Sequence, residues 1–344
     1  MRLELRRHTL RLAGSLHTSY GSVRERTLLA VSLSGRDGVT GHGEAAPLYG
    51  YDGVELARVE QALARHREVL ARSPGELARG ELLERCRHAD PLPAALAAID
   101  IALWDREGKL RGRPVAELLC ERPAQVVEVN ATISASGIPG AAAQAKAARA
   151  AGFGCVKLKV GIADDAQRVS AVRDAAGPGM ALRVDANGAW TVEQAVRAIG
   201  SLQPAGLELV EEPVHGLAQT RQVRERVTAQ IAIDETAADP GALTAGAADA
   251  VCLKISRCGG ISGLLAAAEQ VLACGAQPYL ASALDGPLGI AAALHAAAAI
   301  AARAPLPPCG LATLALFEDV ADQLAPRDGA IALPPAAGLG VHPL

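Results

Sequence analysis

Cys155-Val156-Lys157-Leu158-Lys159-Val160 is a strand-length apolar run that carries two lysines. Helical stretches at residues 141–151 and 164–175 flank it, and the same alternation continues along the chain. Further strands are predicted at residues 126–132, 181–184, 207–210, 231–233, 250–255 and 277–281, with helices at 192–202 and 261–273. Repeated strand–helix units of this length predict a parallel sheet closed as a (β/α) barrel, finished by a degenerate strand around residues 310–313. An open doubly wound sheet is disfavoured, because no Gly-rich phosphate loop follows the first strand.

Upstream, the texture differs. Residues 1–50 alternate as strands, with Leu3, Leu5 and the run 28–33, and with Gly35 and Asp37-Gly38 as turn signals. From residue 54 to 119 the apolar period becomes helical through Leu56, Val59, Leu63 and Leu70. The expected organisation is an α+β capping domain over residues 1–122 and a (β/α) barrel catalytic domain over 123–318. The Pro- and Gly-rich tail, 319–344, is expected to pack on the cap.

Of 34 cationic residues only five are lysines, and three of those, Lys157, Lys159 and Lys254, stand inside apolar runs. A chain that uses arginine for ordinary surface charge keeps lysine there for what guanidinium cannot do, which is to lose a proton. In a barrel the chemistry lies at the C-terminal strand ends. The strand at 155–160 carries Lys157 and Lys159, which share one face at i and i+2. The following strands end in Asp185-Ala186-Asn187, Glu211-Glu212-Pro213, Asp234-Glu235-Thr236 and Lys254. One carboxylate per strand, at Asp185, Glu211 and Asp234, converges as a hard oxygen site suited to Mg²⁺, with Mn²⁺ as the alternative ion. Alternation lets only one member of each adjacent pair, Glu211-Glu212 and Asp234-Glu235, point inward, and Glu211 and Asp234 are taken as the ligands.

The order Lys-x-Lys, Asp-x-Asn, Glu-Glu-Pro, Asp-Glu-Thr and Leu-Lys-Ile before Gly259-Gly260 resembles the enolase superfamily, specifically its muconate lactonizing enzyme subgroup. Gly41-His42-Gly43-Glu44-Ala45-Ala46-Pro47-Leu48 and residues 98–105 resemble the capping domain of that family, so the likeness covers nearly the whole chain. It implies a modified (β/α)7β barrel, Mg²⁺ on Asp185, Glu211 and Asp234, and Lys159 and Lys254 flanking the substrate. The His-Asp base pair of relatives resembling mandelate racemase has no counterpart at a strand end here.

These residues support abstraction of a proton α to a carboxylate, with the metal stabilising the enediolate that forms. Lys159 is assigned as base, its pKa lowered by burial, the dication and Lys157; Lys254 stabilises the enediolate or acts as the second acid/base. Candidate substrate contacts are Asn187, Ser282, Asp285, Gly310, Leu311, Tyr20 and Tyr51. Residues 309–313, Cys-Gly-Leu-Ala-Thr, with 282–285 and 129–132, resemble o-succinylbenzoate synthases of menaquinone biosynthesis, which implies a dehydration. Dipeptide epimerases typically carry an Asp-x-Asp pair on the last strand; residues 310–314 hold no acid, which argues against a substrate with a free ammonium. N-succinylamino acid racemase is the nearest rival, and dipeptide epimerase or muconate-type cycloisomerase would use the same scaffold. A metal-free Schiff-base lyase and a non-catalytic carboxylate-binding barrel are the readings from other classes. Asp285-Gly286-Pro287 is read as an anion-binding helix start, and His42 and His295 as structural.

A net charge of −3 without a basic block points to a small-molecule carboxylate partner, with no nucleic acid and no membrane. With no signal core at the start and no apolar run long enough to span a bilayer, a cytoplasmic location is expected. Seven scattered cysteines without a CxxC pair read as small buried thiols. This architecture also accommodates a homo-oligomer built through barrel faces.

Overall fold

The computed structural model describes residues 1–344 apart from 19–20, 75–76, 136, 319 and 321–322, and the side chains of 15–18. Strands β1 (Arg2–Thr18) and β2 (Gly21–Ser34) form a long antiparallel hairpin, and β2 also pairs with β3 (Thr40–Ala45). A short turn of helix, α1 (Tyr49–Asp52), leads to α2 (Leu56–Arg72), α3 (Arg79–Ala89), α4 (Pro93–Arg111) and α5 (Val115–Leu119). Leu29, Val31 and Leu33 of β2 pack with Val59, Leu63, Leu83, Ile99 and Leu103 in one apolar core. The glycines of the 41–44 stretch have a steric reason. A Cβ on Gly41 or Gly43 would overlap the carbonyl oxygens of Ala102 or Ala98, so β3 lies directly on α4.

The second sheet has seven parallel strands, ordered β11-β10-β9-β8-β7-β6-β5. They are β5 (Ala131–Ile133), β6 (Cys155–Lys159), β7 (Ala181–Asp185), β8 (Leu209–Glu211), β9 (Gln230–Ile233), β10 (Ala250–Leu253) and β11 (Gln277–Leu280). Between them run α6 (Ile138–Ala150), α7 (Asp165–Ala176), α8 (Val192–Leu202), α9 (Leu217–Arg224) and α10 (Ile261–Ala273); α11 (Pro287–Ala301) follows β11. The sheet curls until its edges are joined by Cys309 and Gly310. Gly310 N–H donates to Leu280 O, Asn130 N–H donates to Cys309 O, and isolated bridges link Ala281 with Gly310 and Val129 with Cys309. The expected eighth strand is therefore a two-residue seam, because the chain turns at Ala312-Thr313 into a 3-10 helix at Leu314–Leu316.

The strand expected at 126–132 is broken in two. β4 (Val126–Glu128) leaves the barrel and pairs antiparallel with β12 (Ala330–Ala332) of the tail, and only β5 enters the ring. The tail also reaches α4 and α5, where Leu339 N–H donates to Asp105 Oδ1 and Val115 N–H to Gly338 O. His295 is a satisfied core histidine, as its alanine-rich helix suggested. It accepts from Ala116 N–H, contacts Leu339 O through Nε2, and burial pushes it down to about 4. No helix among the described residues is long and apolar enough to cross a membrane.

Candidate active site

Alternation along each short strand sends every second side chain into the ring. The lower interior is filled by Leu209, Ala232, Ala250, Cys252, Tyr279 and Ala281. Above them, at the C-terminal ends, stand Lys157 and Lys159, Asp185, Glu211, Asp234 and Lys254. The ring order places β6 and β10 two strands to either side of β8, so Lys159 and Lys254 rise from opposite walls with the three carboxylates between them.

Lys157 Nζ lies 2.6 Å from Glu211 Oε1 and 2.8 Å from an Asp185 oxygen, so one ammonium bridges two acids. Lys159 Nζ donates to Asp185 Oδ2 and to Asn187 Oδ1, both at 2.6 Å. Lys254 Nζ donates to Asp234 Oδ2 at 2.6 Å, and Tyr51 O–H reaches Asp234 Oδ1 from the cap, also at 2.6 Å. The Tyr51 ring lies 3.8 Å from the Lys254 ammonium, and Arg257 stacks on the same ring. Tyr279 O–H donates to Glu211 Oε2 at 2.7 Å.

Burial disfavours every one of these charges, and the pairs decide which survive. Burial alone would lower Lys157 and Lys254. The carboxylates outweigh it: Asp185 and Glu211 hold Lys157 protonated, and Asp234 holds Lys254 protonated, both well above the ordinary lysine range. Close ion pairs dominate burial at both lysines. Asp185 and Asp234 resist their own burial through the lysines and lie below the usual carboxylate range. Glu211 is pushed up by burial and by Asp185. Glu235 is pushed up to about 7 by burial and Asp234, and its Oε2 is buried without a partner.

The neighbouring acids have distinct tasks. Glu212 turns away from the mouth and accepts from Asp234 N–H at 2.7 Å, from Thr236 N–H at 3.0 Å and from the Thr236 hydroxyl. It thereby fixes the backbone that carries Asp234. Glu212 and Asn187 both take left-handed backbone conformations, with φ of 41° and 45°, strain of the kind that gathers at functional sites.

The residues present fit a hard dication. Three buried acids, Asp185, Glu211 and Asp234, together with the half-buried Glu235, face three lysines, leaving one carboxylate in excess and one buried Glu235 oxygen without a partner. Ligand atoms of Glu211 and Asp234 lie within 4.8 Å of one another, with the Cys252 thiol as a third group on the same face. Hard carboxylate oxygens are the ligands Mg²⁺ takes.

The cavity above this floor is lined by Leu48, Tyr51, Asn130, Thr132, the three lysines, Asn187, Ser282, Gly310 and Thr313, among others. Of the substrate contacts read from sequence, Tyr51, Asn187, Ser282 and Gly310 stand on it. Leu311 does not; the chain turns at the seam and its side chain packs in the core. Asp285 also folds away, its Oδ2 accepting from Ala283 N–H within its own loop. The start of α11 is occupied by a carboxyl of the protein itself, since Gly286 N–H donates to Glu44 Oε1 at 2.6 Å. Tyr20 lies outside the described residues. Sequence reasoning passed over Tyr279 and Cys252, although their parity with Ala281 and Lys254 marks both as inward-facing.

Fold and site together define a metal-dependent barrel enzyme class in which lysines flank a carboxylate triad. Residues 140–344 match the family described as Enolase C-terminal domain-like, and residues 3–120 match Mandelate racemase / muconate lactonizing enzyme, N-terminal domain. The chain belongs to the mandelate racemase/muconate lactonizing enzyme family of the enolase superfamily. It is 31% identical over 312 residues to the L-Ala-D/L-Glu epimerase of Bacillus subtilis (strain 168), covering 87% of this chain and 84% of that protein. It is 41% identical over 220 residues to the o-succinylbenzoate synthase of Thermobifida fusca (strain YX), covering 60% of this chain and 66% of that one. Among solved structures, the dipeptide epimerase of Enterococcus faecalis V583 complexed with Mg and L-Leu-L-Tyr superposes with a TM-score of 0.90 at 27% identity, over 98% of both chains. Relatives across this set are lyases and isomerases, and this chain is an enzyme of that superfamily.

Proposed function

We propose that this enzyme removes the proton α to a substrate carboxylate, and that its reaction is the dehydration giving o-succinylbenzoate. The observation that carries the first part is the placement of Lys159 and Lys254 on opposite walls of one mouth, with Asp185, Glu211 and Asp234 between them. Those three carboxylates would hold Mg²⁺, which when bound supplies the positive charge that stabilises an enediolate. Lys159, oriented by Asp185 and Asn187, takes the proton. Lys254, held protonated by Asp234, faces the other side of the substrate and donates to developing negative charge. Lys157 keeps Asp185 and Glu211 in register, and Tyr51 closes the mouth from the cap. Residues 1–122 as the capping unit, 123–318 as the catalytic barrel and a cytoplasmic location belong to the same proposal.

For the substrate, two facts favour the synthase reading. Identity to synthases reaches 42% over the matched part, and residues 310–314 offer no acid to pair with a substrate ammonium. Racemisation of N-succinylamino acids is the second reading, favoured by a protonatable lysine on each face and by the longer match to an epimerase. Purified protein with Mg²⁺ is assayed on the cyclohexadiene precursor of o-succinylbenzoate, following its ultraviolet absorbance. Fast turnover lost in Lys159→Ala supports the dehydration; metal binding without turnover moves the substrate to N-acylamino acids.

A further inference from the structure

Two polar atoms on the cavity wall have no partner. Asn130 Nδ2 and Thr313 Oγ1 are buried, on residues only 2% and 7% exposed, and neither meets a hydrogen-bond partner. Burying an amide or hydroxyl in this way costs free energy unless something else satisfies it. Both residues line the cavity that holds the three lysines. Both also stand at the seam of the barrel, where Asn130 N–H meets Cys309 O and the chain runs on through Gly310 to Thr313. In the ring order the seam lies between β11 and β5, across the mouth from β8 and Glu211.

We propose that Asn130 and Thr313 form a recognition site for a neutral carbonyl oxygen of the substrate, a ketone or an amide, across the mouth from its metal-bound carboxylate. This rests on the enediolate reading above. The chemistry follows from the donor set. An amide N–H can only donate, so the ligand atom facing Asn130 is an acceptor. The cations lining the cavity are Lys157, Lys159 and Lys254, each already held by Asp185, Glu211 or Asp234. A second carboxylate at the seam would therefore be buried without a counter-charge, whereas a carbonyl oxygen needs only the two donors. The wall thus selects acyl-bearing carboxylates, ketones and N-acylamino acids alike, over simple ones.

Calorimetric titration of the Mg²⁺-loaded protein with o-succinylbenzoate, and with 2-(3-carboxypropyl)benzoate in which a methylene replaces the ketone, reads this preference directly. The expected result is roughly tenfold tighter binding of the ketone, as losing a ligand acceptor opposite buried donors costs about that factor. Asn130→Leu and the isosteric Thr313→Val each cut the preference several-fold and leave the methylene compound's affinity within about twofold. Retained binding of that compound shows that each variant is folded. A preference that survives both variants, or equal weakening of both ligands, overturns the proposal. If neither compound binds the unaltered protein, the synthase reading fails, and the same variants are read by α-proton exchange of N-succinyl-L-leucine in D₂O. A KM raised roughly tenfold with kcat nearly unchanged then supports the carbonyl site; an unchanged KM, or no exchange at all, overturns it.

Discussion

Glu44 joins the cap to the barrel, and its protonation makes that joint depend on pH. Its carboxyl is pushed up to about 8, from an ordinary 4.5, by burial and by the neighbouring Asp285. The N–H groups of Gly286 and Gly289 at the start of α11, with Arg26, pull it only part of the way back. A folded-state pKa above the unfolded one means that the folded protein keeps a proton the unfolded chain gives up. Stability therefore falls as pH rises from about 4.5 to about 8, and levels off beyond. At 1.36 kcal/mol per decade the loss approaches about 5 kcal/mol, an upper figure because local relaxation and water entry soften it. Glu44→Gln keeps an oxygen to accept from Gly286 N–H and removes the titration. Urea unfolding followed between about pH 5 and 9 should show the wild-type midpoint dropping steeply relative to the variant across this window, with the two differing most above about pH 8. Parallel midpoint curves would refute both the protonated state and the account of the joint.

Chelation should abolish turnover, and Mg²⁺ at about a hundred times its Kd should stabilise the folded protein by roughly 2.7 kcal/mol in a thermal melt, a gain that Asp185→Asn removes. Lys157→Met leaves Asp185 and Glu211 buried without their shared ammonium. It should cost about 3–5 kcal/mol without metal, measured by chemical denaturation, and less with saturating Mg²⁺. Glu212→Ala strands the N–H groups of Asp234 and Thr236; a loss of about 3 kcal/mol is expected, together with weaker Mg²⁺ affinity by calorimetry, because the ligand-bearing backbone is no longer held.

The barrel and its chemistry were legible because both follow local rules. Strands of three to five residues with alternating side chains place Lys157 with Lys159 on one face and let only one of Glu211 and Glu212 turn inward; Glu212 is the one that accepts from the Asp234 backbone. What escaped depends on the chain meeting itself. The seam at Cys309-Gly310 turns Leu311 into the core, while the run 126–132 splits because the tail strand at 330–332 pairs with its first half. The turn at Asp285 has the composition of an anion-binding site, yet the group it holds is the Glu44 carboxyl, distant in sequence and delivered by β3. The upward shift of Lys157 likewise reflects pairs formed across strands, not the lysine's own neighbours in sequence.

The central claim is proton abstraction by Lys159 from one face of a metal-bound carboxylate substrate, with Lys254 on the other. Exchange of the α-proton for solvent deuterium, followed by proton NMR with Mg²⁺ and each enantiomer of an N-succinylamino acid, tests it most directly. The account predicts that Lys159→Ala abolishes exchange for the enantiomer whose α-proton faces Lys159, and that Lys254→Ala, which removes a donor to the enediolate, slows it. Exchange that persists in Lys159→Ala with both enantiomers would contradict it.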